Sequence, residues 1–362
     1  KNDSTINQMQ NGVKAIDTLQ KLSIPKSLIN NKKSYNFFVI SFLLTLLLVL
    51  IFISICVGSS SIEISDILKA ISNNGNLTSE YKIINYVRIP RTLSAIIAGS
   101  GLAVSGLILQ SVLNNALASP TIIGVNSGAG LFTALATAFL PANFGIMPIA
   151  AFLGAFLATI IVYYVARKTG ASRMTIILAG VAVSSLIGAM TDTVLILFPD
   201  TVISRTSFII GGLSGVTMSR LLVPGIIIFG SLIVTFIFGY DLNVLSLGDQ
   251  TSKSLGLNVD KTRFLFIILS SLLSGSVISF AGLLGFIGLI VPHISRLIVG
   301  YDNRILIPTS VLIGSSFALF CDILARTLFA PYEVPVGIIM SFLGSPFFIY
   351  LLLNKKRRLI YD

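Results

Sequence analysis

The chain has 362 residues, of which 54% are hydrophobic and only 11% charged, and its mean hydropathy is +0.93. Soluble domains carry about 25% charged residues, so a soluble globular fold is excluded, and the formal charge of +11 reads as membrane-topology charge rather than a nucleic-acid footprint. Cys56 and Cys321 both sit in apolar runs and His293 is the single histidine, a set that offers neither a disulfide framework nor a protein-bound metal site.

In chain order, residues 1–36 are polar and form a cytoplasmic leader. Within it Ile6, Met9, Val13, Ile16, Leu19 and Leu22 recur every three or four residues, with Lys14 and Lys21 among them. An amphipathic interfacial helix and a disordered tail fit this pattern equally. The apolar run that follows is too long for the core of a signal peptide, so no cleavable signal is expected and the run stays as a membrane helix. About twenty apolar residues at 1.5 Å rise reach roughly 30 Å, the hydrocarbon thickness. By that measure the chain contains about ten transmembrane helices, at 37–57, 92–112, 120–140, 147–166, 174–198, 221–240, 263–284, 286–299, 305–328 and 334–353. The ten-helix region spans 37–354, and 355–362 is a basic cytoplasmic tail. The expected class is an all-α polytopic membrane protein with no room for a separate soluble domain.

Orientation follows from Lys and Arg, which concentrate on the cytoplasmic side. With both termini in the cytoplasm, 18 of the 25 Lys and Arg residues fall inside. Arg88, Arg91 and Arg326 remain on the outer face against this trend and need their own explanation. The 30 glycines, many with small neighbours as in Ala98 to Gly106, permit close helix–helix approach in lipid. A faint echo links two helices, one opening at Arg91 and one at Arg263, each followed by a Pro-containing break at Pro120 and Pro292. They run in opposite directions, as an inverted repeat would.

Three constellations stand out. Arg88 and Arg91 sit at the outer edge of the second span, and Asp322 and Arg326 at the outer end of the ninth. They read as snorkelling anchors, as an i, i+4 pair between Asp322 and Arg326, or as a docking surface for carboxylates of an external partner. The inner loop from Asp241 to Arg263 carries Leu242, Val244, Leu245, Leu247, Leu255, Leu257 and Val259 around a short helical piece bracketed by Gly248 and Gly256. A solvated loop needs no such side chains, so they pack on the membrane surface or fill a partner's groove. Pro292 and His293 interrupt an apolar stretch, where the histidine is expected to satisfy a carbonyl freed by the proline.

The sequence lacks G-x-x-x-x-G-K-[ST], so it has no phosphate cradle for ATP, and it lacks H-E-x-x-H and G-x-S-x-G. Asp192 and Asp322 are the acidic residues within or bordering spans, a thin ion site for a gradient-driven transporter. Uphill transport would draw its energy from another chain.

Taken together, Arg88-Ile-Pro-Arg91, Gly101-Leu-Ala-Val-Ser-Gly106 with Gln110, Gly124 to Ala129, Leu242 to Asp249 with Ser254 to Leu257, Gly285 to His293 with Arg296, Asp322 with Arg326, Glu333 with Gly337, and Gly344 to Phe348 resemble the iron-siderophore and vitamin B12 permeases of bacterial ABC importers. The resemblance covers about 37–354. It implies a ten-helix subunit with no ATP site and no cofactor of its own. Such a subunit pairs with a second permease, identical or paralogous, in the bacterial cytoplasmic membrane. Two ATP-binding subunits that hold ATP and Mg drive it, and an extracytoplasmic binding protein delivers ligand, here most simply a ferric siderophore, with haem or cobalamin as alternatives. It further implies binding-protein docking at Arg88, Arg91 and Arg326, and ATPase coupling through Leu247, Gly248, Asp249, Gln250, Ser254, Leu255 and Gly256. A cytoplasmic gate is implied at Ala171, Ser172, Arg173 and Met174, and a structural break at Pro292 and His293. The chain departs from the family where Leu283 or Leu284 replaces a usual proline, which predicts a less sharply fixed turn. It departs again at Phe208, at Ser252, where the coupling segment often has alanine, and at Asn115-Ala116.

Overall fold

In a computed structural model the described residues are 26–58, 79–140, 145–170 and 172–353, and they form helices joined by short turns, with no strand among them. The chain divides into two units, 1–42 and 43–362. The first is described from Lys26 as the start of helix α1 (Lys26–Cys56), where Phe37, Phe38 and Phe42 are exposed, as side chains facing lipid are. The Ile6 to Leu22 pattern and the 355–362 tail lie outside the described residues.

The second unit holds the rest of α1 and all that follows. α2 (Ser79–Ile83), a π-helical turn (Ile84–Arg88) and α3 (Ile89–Val112) run on as one rod. Then come α4 (Val125–Phe139), α5 (Ile146–Lys168), α6 (Arg173–Leu197), the short α7 (Thr201–Ile210) and α8 (Met218–Ile237). On the inner side lie α9 (Gly239–Ser246) and α10 (Asp249–Ser254), and the last four are α11 (Val259–Ala281), α12 (Ile287–Val299), α13 (Asn303–Thr327) and α14 (Val336–Leu353). Among the described residues, 7 helices are able by length and composition to cross a membrane. With the shorter apolar α4, α12 and α14 they occupy the ten expected positions; α7 is an additional element that the sequence reading left between spans.

α3 is the central rod: 83% of its apolar window is buried, against 22% for α8. Its small residues explain this, because without a hydrophobic drive in lipid the tightest packing is won by letting backbones touch. A Cβ added at Gly99 would collide with the Gly314 carbonyl of α13, and one at Gly106 with the Gly288 carbonyl of α12. α3 also lies against α11, where the Ser105 and Ser270 hydroxyls meet at 2.7 Å. These are the two helices whose sequences echo one another.

Two expected spans differ in form. The stretch 120–140 is not one helix: Pro120–Ile123 is a 3-10 turn, and Gly124, at φ +80°, redirects the chain into α4. Gly180 of α6 packs on the Ile122 carbonyl, so the turn is wedged in place. The stretch 263–284 begins four residues early, at Val259, and ends at Ala281, where Gly282 turns with φ +68°.

Candidate functional site

At the outer end the four residues singled out together do come together, joined by Glu333. Arg91 of α3 donates from Nε to Asp322 at 2.9 Å and from Nη1 to Glu333 at 2.6 Å. Arg326 lies one helical turn beyond Asp322 and pairs with it at 3.1 Å, the i, i+4 pair expected on α13. Arg326 also donates to the Ser54 hydroxyl at 2.8 Å, and Arg88 to the Ile55 and Cys56 carbonyls at 2.8 and 2.7 Å. The arginines thus tie the outer end of α1 to α3 and α13. Arg88, Arg91 and Arg326 are only 3%, 5% and 2% exposed, and Asp322 is fully buried. They are not snorkelling anchors, because their charges are met inside the protein.

At the inner end the coupling loop is mostly packed on its own chain. Leu242, Val244, Leu245 and Val259 are buried, whereas Leu247 and Leu255 are 60% and 62% exposed. Most of the apolar content expected to pack on the membrane surface or to fill a partner's groove is therefore internal, and two leucines flanking α10 remain outward. Gly248, at φ +107°, makes the sharp turn into α10 in a region that disfavours any side chain. Ser252, the departure from alanine, is buried, and its hydroxyl meets the Val244 and Gly248 carbonyls at 2.7 and 2.6 Å, tying α10 to α9.

Asp249 is a hub. Its Oδ1 lies 2.6 Å from Arg263 of α11 and 3.5 Å from Arg173, the first residue of α6. Arg173 also donates to the Leu245 carbonyl at 3.0 Å. The segment expected to act as a gate and the loop expected to couple, more than seventy residues apart, therefore touch. Of the gate residues, Ser172 caps α6 by accepting from the Thr175 amide at 3.1 Å and Met174 is exposed; Ala171 lies outside the described residues. Gln250, Ser254 and Gly256 are exposed around α10.

The expected break at Pro292 and His293 is corrected. α12 runs from Ile287 to Val299 straight through Pro292. The proline still removes the N–H that would reach the Gly288 carbonyl, but the replacement donor is Gln110 of α3. Its Nε2 lies 3.2 Å from the Gly288 carbonyl and 3.3 Å from that of Leu289. Arg296 donates to the Gln110 Oε1 in turn, fixing which way the amide points. His293 does not do this work. Sequence reasoning placed Gln110 in a motif without seeing its role; the signal was that it is the one glutamine inside a span, one helix away from a proline that needs a donor.

The break falls earlier, at 282–286. There the Leu283 amide donates to the Phe208 carbonyl at 3.0 Å and the Gly212 amide to the Ala281 carbonyl at 2.8 Å. The turn expected to be loose for want of a proline is held by a bond that a proline at 283 could not make. Phe286 starts α12 from a left-handed conformation, φ +66°, costly for a residue with a Cβ. Gly344 of α14 makes room for its ring, since a Cβ there would lie 2.5 Å from the Phe286 Cγ. This break, α7 and α14 surround a cavity of about 230 Å³ whose polar wall is Ser119, Thr121, Asn126 and Ser341. No group of three or more metal-ligating side chains occurs among the described residues.

Helices of spanning length packed on small residues, with charged clusters at both ends and a largely apolar, uncharged cavity between broken helices, define a multi-pass membrane protein. Residues 46–354 match the FecCD transport family, and the chain belongs to it. It is 37% identical over 304 residues to the Fe(3+)-citrate import system permease protein YfmD of Bacillus subtilis, covering 83% of this chain and 89% of that one. It is 33% identical to the hemin transport system permease protein HmuU of Yersinia pestis, covering 88% and 96%. Among solved structures, a chain of a metal-chelate type ABC transporter in an inward-facing conformation superposes with a TM-score of 0.78 at 28% identity, over 87% of this chain and 98% of that one. The chain is thus the membrane permease of an ABC importer, not the ATP-hydrolysing subunit.

Proposed function

We propose that this chain forms half of the translocation path of a binding-protein-dependent importer for ferric siderophores in the bacterial cytoplasmic membrane. The other half is a second permease, identical or paralogous. Two ATP-binding subunits supply the energy, and an extracytoplasmic binding protein delivers the chelate. The observation that carries the energetic side of this reading is the inner knob: α10, with Leu247 and Leu255 exposed at its ends and Asp249 pinned to Arg263 and Arg173. Exposed leucines on a short rigid helix suit the groove of a soluble partner. The Asp249 contacts give that partner a lever on the segment Ala171 to Met174, which we assign as the cytoplasmic gate.

At the outer end we assign docking of the binding protein to Arg88, Arg91 and Arg326, which, being buried, it reaches only as a contact inside the cluster gives way. For the substrate, support comes from relatives named for ferric citrate and hemin and from a cavity lined by apolar and uncharged polar side chains, which offers a bare cation no carboxylate. A gradient-driven carrier is the competing reading. Against it, Asp322 is buried between Arg91 and Arg326, and Asp192, although exposed, lies 3.3 Å from Arg205, so both carboxylates are already paired with arginines.

The test is uptake of radiolabelled ligands by cells lacking this chain, with and without its gene restored. The panel is hydroxamate and catecholate ferric siderophores, ferric citrate, haem and cobalamin. Restored uptake of one ferric siderophore is expected. Uptake of haem or cobalamin alone would overturn the substrate assignment and leave the importer standing.

A further inference from the structure

The outer cluster contains one acid that reaches solvent. Asp322 is fully buried, but the Glu333 side chain is 31% exposed and lies 2.6 Å from Arg91 Nη1. Arg91 Nε is committed to Asp322 and Nη1 to Glu333, while Nη2 makes no hydrogen bond among the described residues. Arg91 also lines a small notch of about 60 Å³ beside Tyr86, Val87, Gly215 and Thr217, which Glu333 does not line. Near the cluster in sequence, Tyr86, Leu328, Phe329 and Tyr332 are exposed, three aromatic side chains and a leucine of the kind that protein interfaces favour.

A guanidinium grips a carboxylate best as a fork, with two parallel N–H bonds. The free fork on Arg91 is Nη1 with Nη2, and Glu333 holds half of it. A second carboxylate entering the notch would meet Nη2 and at the same time repel Glu333, since like charges sharing one site disfavour each other. The geometry leads to an exchange.

We propose that Glu333 is an internal occupant of the docking site: an acidic side chain of the external binding protein takes the Nη1–Nη2 fork of Arg91 through the Tyr86–Thr217 notch and expels Glu333. This rests on the assignment of docking to Arg91. The expelled residue is no idle loop. The Val334 amide next to it donates to the Ala325 carbonyl at 3.0 Å, and the turn leads directly into α14. Gly337 of α14 packs on the Ile210 carbonyl and, with Ser341, lines the central cavity. Docking outside is thereby connected to the helix that borders the path.

The experiment titrates the binding protein that supports uptake in the assay above, fluorescently labelled, against the assembled importer in nanodiscs. Glu333→Gln removes the competitor's charge and is expected to tighten docking about two- to fivefold, the scale of a part-exposed ion pair. Glu333→Asp keeps the charge but draws it back from Arg91, and an intermediate tightening is expected; it also serves where the amide variant loosens the turn. Arg91→Gln is expected to weaken docking. Unchanged or weaker docking in both Glu333 variants, with Arg91→Gln still weakening it, overturns the exchange and leaves the docking assignment intact. Unchanged docking in Arg91→Gln overturns both.

Discussion

Gln110 is where one side chain accounts for a whole motif. A proline inside α12 frees the Gly288 carbonyl, the packing of Gly106 against that same carbonyl keeps water out, and the Gln110 amide supplies the missing donor. Removing it in Gln110→Leu strands a buried acceptor and is expected to cost about 1–3 kcal/mol, read as lowered stability of the importer in detergent. Pro292→Ala restores an amide at the position that reaches Gly288. The cost of Gln110→Leu should therefore shrink in the Pro292→Ala background. An equal cost in both backgrounds contradicts this role. The motif around Pro292, His293 and Arg296 was legible in the sequence, but its donor was not, because 178 residues separate Gln110 from Gly288 and only packing brings them together. The outer arginines tell the same story. Their grouping was legible from topology and from the helical spacing of Asp322 and Arg326, whereas their burial depends on contacts such as Arg326 with Ser54, 272 residues apart.

At the scale of elements, α10 illustrates how far composition reaches. Seven apolar side chains in an inner loop signalled packing, but apolar character does not say whether the surface met is internal or foreign. Four of the seven are buried within the chain, and Leu247 and Leu255 are left outward. Replacing both by aspartate is expected to weaken retention of the ATP-binding subunits about thirtyfold or more, as loss of an interface hot spot of about 2 kcal/mol does. The measurement is co-purification from membranes over a dilution series. Full retention would remove α10 from the interface. The break at 282–286 shows the converse limit. A missing proline at 283 or 284 predicted a loose turn, yet the Leu283 amide, which a proline at 283 would lack, makes a bond to Phe208. Spans were legible because length and hydropathy set them. The short α7 was not, since ten residues, Thr201–Ile210, fall below any spanning length.

For the whole molecule, the fold places an outer charged cluster, a central cavity and an inner knob on helices that share α3 and α11 as their core. Arg91 opens α3, Asp322 and Arg326 close α13, Arg263 opens α11 and Arg173 opens α6. Charges therefore sit near helix ends, where they meet partners, and small residues fill the crossings between. On the proposed reading the chain contributes a path and two handles, and the energy comes from ATP in a separate chain. The most direct test measures uptake of the chelate identified by the ligand panel under two opposed conditions in cells carrying the importer. ATP is supplied with ion gradients collapsed in one, and depleted with gradients held in the other. The account predicts uptake in the first and none in the second. Uptake sustained by the gradient alone would contradict it.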